Sequence, residues 1–116
     1  MSKTFAVHWG GARFQRRTIY VSPYVAQRIH DQATAMQIPV SEQIRRLVEL
    51  GRQRPAALTR IDVPGPQSEL LWVYLPRALD QHVRVLARQH HWSLAATLRR
   101  LLAAGLAANH GEEDRG

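Results

Sequence analysis

Apolar residues recur along the chain in two rhythms, and each rhythm occurs twice. Thr18-Ile-Tyr-Val-Ser22 and Leu71-Trp-Val-Tyr-Leu75 are short runs of β-branched, aromatic and apolar residues, which predict strands. Proline closes each run, at Pro23 and Pro76, where a helix can open because its first turn does not need the missing N–H. Ser22 is a candidate N-cap for the first of these helices. Val25, Ile29, Ala33 and Met36, and later Leu79, Val83, Leu86 and Ala87, then return every three to four residues, which predicts amphipathic helices of about four turns. After turns near 37–39 and 91–93, Val40, Ile44, Leu47 and Val48 mark a second helix in one half, and Leu94, Leu98, Leu101 and Leu102 in the other. Gly51 is expected to end the first of these, whereas Gly105 falls within a longer Ala/Leu-rich helix that meets no breaker before Asn109 and Gly111.

The duplication is a true repeat. An offset of 54 aligns 16–55 with 70–109 without a gap, keeping identity at Tyr20/Tyr74, Gln27/Gln81, Ala33/Ala87, Arg45/Arg99, Arg46/Arg100, Leu47/Leu101 and Gly51/Gly105. The apolar class is retained at eight further pairs, from Ile19/Val73 to Val48/Leu102, so the shared pattern is that of a core. The chain accordingly divides into a basic arm or hairpin (1–15), a first unit (16–53), a linker (54–68), a second unit (69–110) and an acidic tail (111–116) expected to fray. Pro55, Pro64, Gly65 and Pro66 predict an extended linker, able to span roughly 45 Å at ~3.1 Å per residue. In the arm, Gly10-Gly11 suits a hairpin over 4–14 or a flexible segment equally.

A unit of ~40 residues buries too little apolar area to offset the entropy of ordering it, and two strands alone are marginal. Two units pairing within one chain supply one joint core. With Ile19 and Val21 turned inward, strand alternation sends Arg16, Thr18 and Tyr20 outward, and places Leu70, Trp72 and Tyr74 on the equivalent face of the second strand.

Charge sharpens this picture. Sixteen Lys+Arg against nine Asp+Glu give +7 in 116 residues, and all the cations but Lys3 are arginine, the side chain that forks onto phosphates and guanine edges. Residues 1–55 carry nine cations and three acids (+6), 56–116 seven and six (+1), so the first half faces a polyanion more strongly. The absence of cysteine excludes disulfides and thiolate chemistry. His82, His90 and His91 lack supporting carboxylates at ligand spacing, and no phosphate loop, paired acid–base carboxylates or Ser/His/Asp signature occurs. No metal, cofactor or catalysis is expected. No apolar run approaches the ~18 residues of a membrane span and no signal-peptide h-region precedes residue 17, which predicts a soluble, cytoplasmic protein.

Strand, helix, helix in duplicate resembles the ribbon-helix-helix superfamily of Arc, MetJ and CopG type. Arg-Arg-Thr-Ile-Tyr-Val-Ser-Pro (16–23) followed by Ser41-Glu-Gln-Ile-Arg45 is similar to the family's strand and to its recurrent Ser-Glu-x-Ile-Arg. Two units in one chain resemble the tandem, TraY-like plasmid-transfer proteins. The resemblance implies a mostly α fold with a two-stranded antiparallel ribbon, two ribbon-helix-helix units forming one intramolecular pseudo-dimer whose ribbon enters the DNA major groove. On it, Arg16, Thr18 and Tyr20 occupy the base-reading positions, with Leu70, Trp72 and Tyr74 as their counterparts in unit two. It also implies phosphate binding by the starts of the second helices, at Val40 and Ser41, and at Leu94 and Ala95 behind a candidate N-cap Ser93. Lys3, Arg13 and Arg17 of the leading arm are expected to follow the DNA backbone, whereas Arg45, Arg46, Arg99 and Arg100 are expected to serve structure. The implied partner is double-stranded DNA, with further copies of the chain on it or a relaxase or transfer-machinery protein beside it. The implied roles are repressor or relaxosome accessory factor; an antitoxin, or an interaction module with degenerate readout, are the alternatives.

Overall fold

The computed structural model describes residues 13–63 and 65–115. Along the chain run β1 (Phe14–Val21), α1 (Pro23–Met36), α2 (Val40–Arg52), α3 (Pro55–Arg60), β2 (Glu69–Pro76), α4 (Arg77–His90) and α5 (Leu94–Arg115). The strands form one two-stranded antiparallel sheet, in register from Phe14 opposite Pro76 to Val21 opposite Glu69. A mostly helical chain with a two-stranded ribbon is therefore what the sequence folds into.

Each strand is eight residues long and begins before the apolar run that predicted it. β1 extends back through Arg17, Arg16 and Gln15 to Phe14 because the facing strand offers these residues a ladder partner, and pairing overrides their modest strand propensity. Phe14 thus belongs to the ribbon; the remainder of the expected arm or hairpin, Arg13 apart, lies outside the described residues, as does Lys3.

Ile19, Val21, Leu71, Val73 and Leu75 form the ribbon's buried face and join Ile29, Ile44, Leu47, Val83, Leu98 and Leu101 in one core. Such sharing lets a two-stranded sheet persist, since neither strand could stay dry without helices from both halves. Ser22 caps α1 by accepting from the Val25 N–H at 3.2 Å, and Ser93 accepts from the Ala96 N–H at 3.0 Å at the start of α5. The intervening turns are alike: Gln37 and His91, one repeat apart, both adopt left-handed backbone (φ 57° and 58°) and hand their N–H to the last turn of α1 and α4.

The broadest helix–helix contact is that between α2 and α5. At their crossing Gly51 lies against the backbone of Leu101, and Gly105 against the backbone of Leu47. Because 47/101 and 51/105 are repeat pairs, the contact is reciprocal. Gly51 does not end its helix, as the sequence led one to expect; α2 continues to Arg52, and the glycine marks close approach of two backbones.

Two connecting regions also depart from expectation. The linker is not extended throughout, since Pro55 opens the short helix α3 and fully buries Leu58. Arg100 fastens α3, donating to the Leu58 carbonyl at 2.9 Å while its guanidinium lies 4.4 Å from the Trp92 ring centre. At the other end the backbone of α5 stays helical to Arg115, where fraying was expected; 111–115 contains no proline to interrupt its ladder. No helix among the described residues is long and apolar enough to cross a membrane.

Candidate nucleic-acid interface

The register brings six singled-out side chains onto one surface. Arg16 stands opposite Tyr74, Thr18 opposite Trp72 and Tyr20 opposite Leu70, all on the side of the ribbon away from the core. Tyr20, Leu70 and Trp72 keep 54, 44 and 47% of their surface accessible, so the helices do not cover this face. The Arg16 guanidinium carbon lies 5.1 Å from the Trp72 ring centre, a diagonal cross-strand contact that holds the cation over an aromatic face. One strand therefore offers a guanidinium and two hydroxyls, the other apolar area with one indole N–H and one phenol.

The second helices flank the ribbon's two ends. Arg45, in the second turn of α2, lies buried with its guanidinium 5.3 Å from the Phe14 ring centre. Arg99, the equivalent residue of α5, donates to the Tyr20 carbonyl at 3.1 Å. These contacts bring Arg45 of α2 to the Phe14 end of the sheet and Arg99 of α5 to its Tyr20 end; Val40 and Ser41 open the first of these helices, and Leu94 and Ala95, behind Ser93, the second. The first turn of any helix presents amide N–H groups without intrahelical acceptors. Burial lowers the pKa of Arg45, with Glu42 opposing and Arg46 adding to the fall; its surroundings make it a packing residue. Arg46 pairs with Glu42 at 2.9 Å on the surface of α2.

Arg17 does not belong with the backbone-following arm. It shares the inward parity of Ile19 and Val21, and its guanidinium grips Asp80 with two bonds of 2.6 and 3.0 Å, leaving 18% of the side chain exposed. Arg84 adds a third bond to Asp80 at 3.2 Å. Burial by itself raises the Asp80 pKa, but the bonds and charges of Arg17 and then Arg84 outweigh it and hold the carboxyl below its ordinary value. Asp80 in turn raises the pKa of Arg17. Alternation along β1 signals Arg17's inward direction; the acid awaiting it, 63 residues away, carries no local signal. Arg13 lies just ahead of β1, exposed, its carbonyl accepting from the Arg77 N–H at 3.0 Å.

No family model matches the chain, and neither a curated protein nor a solved structure is detectably similar to it.

Proposed function

We propose that the chain is a sequence-specific double-stranded DNA-binding protein of ribbon-helix-helix type, two units paired as an intramolecular pseudo-dimer, that sets its ribbon in the major groove. The observation that carries the reading is the uncovered face holding Arg16, Thr18 and Tyr20 against Tyr74, Trp72 and Leu70. Strands about 4.8 Å apart with side chains standing from one face fit a groove about 12 Å wide. Arg16 is suited to a guanine O6/N7 pair, Thr18 to a base edge or thymine methyl, and Tyr20 to a base or phosphate. The reciprocal crossing of Gly51 on Leu101 and Gly105 on Leu47 supports the pseudo-dimer. On this reading the first turns of the two second helices clamp phosphates with their free amide N–H groups, at Val40 and Ser41 and at Leu94 and Ala95.

Because the two strands carry different side chains, the site read is asymmetric, polar contacts on one half and van der Waals contact with thymine methyls on the other. Repressor or relaxosome accessory factor are the roles this binding serves. The exposed Leu70 and Trp72 favour one rival, a protein-interaction surface.

Selection of bound duplexes from a random pool tests the reading. A defined motif is expected, with affinity falling about 0.9 log unit per log salt for each phosphate neutralised. Arg16→Ala is expected to relax choice at one base pair at a cost of ~1–3 kcal/mol on the selected site. No enrichment together with a flat salt response refutes groove binding, and equal losses on selected and random duplex refute base reading by Arg16.

A further inference from the structure

The last turns of α1 and α4 hold equivalent places in the repeat and are built alike. Each helix is 14 residues long and ends on a left-handed residue, Gln37 or His91, whose N–H returns to the last turn. Their surface charge is opposite. Residues 84–91 carry Arg84 and Arg88 and no acid, with His90 and His91 beside them, whereas 30–37 carry no Lys or Arg and one acid, Asp31. The places of Arg84, Arg88 and His91 are taken in unit one by His30, Thr34 and Gln37. Cations near a helix end complement its dipole, but α1 closes in the same way with no basic residue in its last turn. Ending the helix therefore does not account for the basic residues of α4.

These side chains meet in one place. Arg84, Arg88 and His91 line a concavity of about 590 Å³ together with Ala87, Trp92 and Leu94, the first residue of α5. Its aromatic wall is held in place, since the His90 ring stacks on Trp92 at 4.2 Å and the Arg100 guanidinium lies over the same indole. Asp80, the acid bonded to Arg84, is buried and shared with Arg17, while Arg84 keeps 46% of its side chain exposed. Arg88 and His91 are exposed as well. Along α5, Leu94 stands five residues, about 7.5 Å, ahead of Arg99, which bonds the Tyr20 end of the ribbon.

We propose that Arg84, Arg88 and His91 form a phosphate-binding site for the DNA backbone beyond the Tyr20 end of the ribbon, present in unit two alone. The role rests on the DNA-binding reading above and extends it to side chains off the ribbon and outside the first turns of the second helices. Two guanidiniums and an imidazole supply forked and ring N–H donors suited to the oxygens of a phosphodiester. With His30, Thr34 and Gln37 in the equivalent places of unit one, the backbone is gripped more firmly on one flank of the site than on the other.

Grafting unit one's residues into unit two of the full chain tests this. Arg88→Thr with His91→Gln keeps the turn, because Gln37 holds the same left-handed backbone in unit one, and leaves the bond from Arg84 to Asp80 in place. On the duplex selected by the wild type and on a random duplex, the double variant is expected to lose affinity about tenfold alike. Its selected motif is expected to stay the same and its salt slope to fall by about 1. Replacing single phosphates by neutral methylphosphonates is expected to weaken wild-type binding at a further position on one flank, which falls silent in the variant. If the wild type shows a motif and a salt dependence that the variant matches in affinity and slope, the proposal fails and the DNA-binding reading stands. Equal methylphosphonate sensitivity on both flanks of the wild-type site has the same meaning. If the wild type itself selects no duplex, both fall together.

Discussion

Replacing Gly51 by alanine sets two physical effects against each other. Within an exposed helix the change stabilises by about 1 kcal/mol, because glycine loses more backbone entropy on ordering. Here the added carbon would stand 2.2 Å from the Leu101 carbonyl oxygen and 3.0 Å from its carbon, against 3.4 to 4 Å for ordinary contact. The obstacle is backbone, which cannot swing aside, so α2 and α5 must part by about 1 Å, loosening Leu47, Val48, Leu98 and Leu102, all fully buried. Overpacking of this kind costs about 1–3 kcal/mol and more where no side chain can yield, so the net is a loss of about 2 kcal/mol. At this chain length that lowers the melting temperature by roughly 8 °C. Gly105→Ala, 2.3 Å from the Leu47 oxygen, is expected to match it. The double variant is expected to lose less than the sum, since the first substitution already opens the crossing for the second. Thermal melts and urea titrations followed by circular dichroism measure all three. Unchanged or raised stability in either single variant refutes the close crossing.

Asp80→Asn removes the carboxylate that Arg17 and Arg84 share and is expected to cost about 2–3 kcal/mol at neutral pH, read by urea titration. Asp80 has a lower pKa folded than unfolded, so the unfolded chain binds more protons between the two values. Its contribution is complete above the ordinary value near 4 and fades as pH falls through the folded one; the wild type's acid-side loss of stability is expected to flatten in the variant, and identical profiles contradict the clamp. Leu58→Ala, emptying the buried position of α3, is expected to cost about 2–5 kcal/mol in the same titration, and a change below 0.5 kcal/mol means that the linker helix does not pack.

Strand, helix and helix, twice over, were legible because apolar spacing is a local property: Ile19 and Val21, or Val25, Ile29 and Ala33, declare their faces within a few residues. The outward set of Arg16, Thr18 and Tyr20 followed from alternation alone. Registration is a different matter. That Thr18 meets Trp72, and that Arg16 lies over the same indole, depends on how two segments more than 50 residues apart slide along each other, which the packing of the whole core determines. Gly51 reads as a helix end by propensity and becomes a crossing point only when another helix arrives at it. Leu58 sits in a proline-bounded stretch whose composition favours an extended chain, and burial together with the grip of Arg100 makes it helical. Local chemistry determined the elements and the side chains each could show; which of them share a surface, and which are withdrawn from it as Arg17 is by Asp80, only long-range contact could decide, because such energies exist only once distant parts of the chain have met.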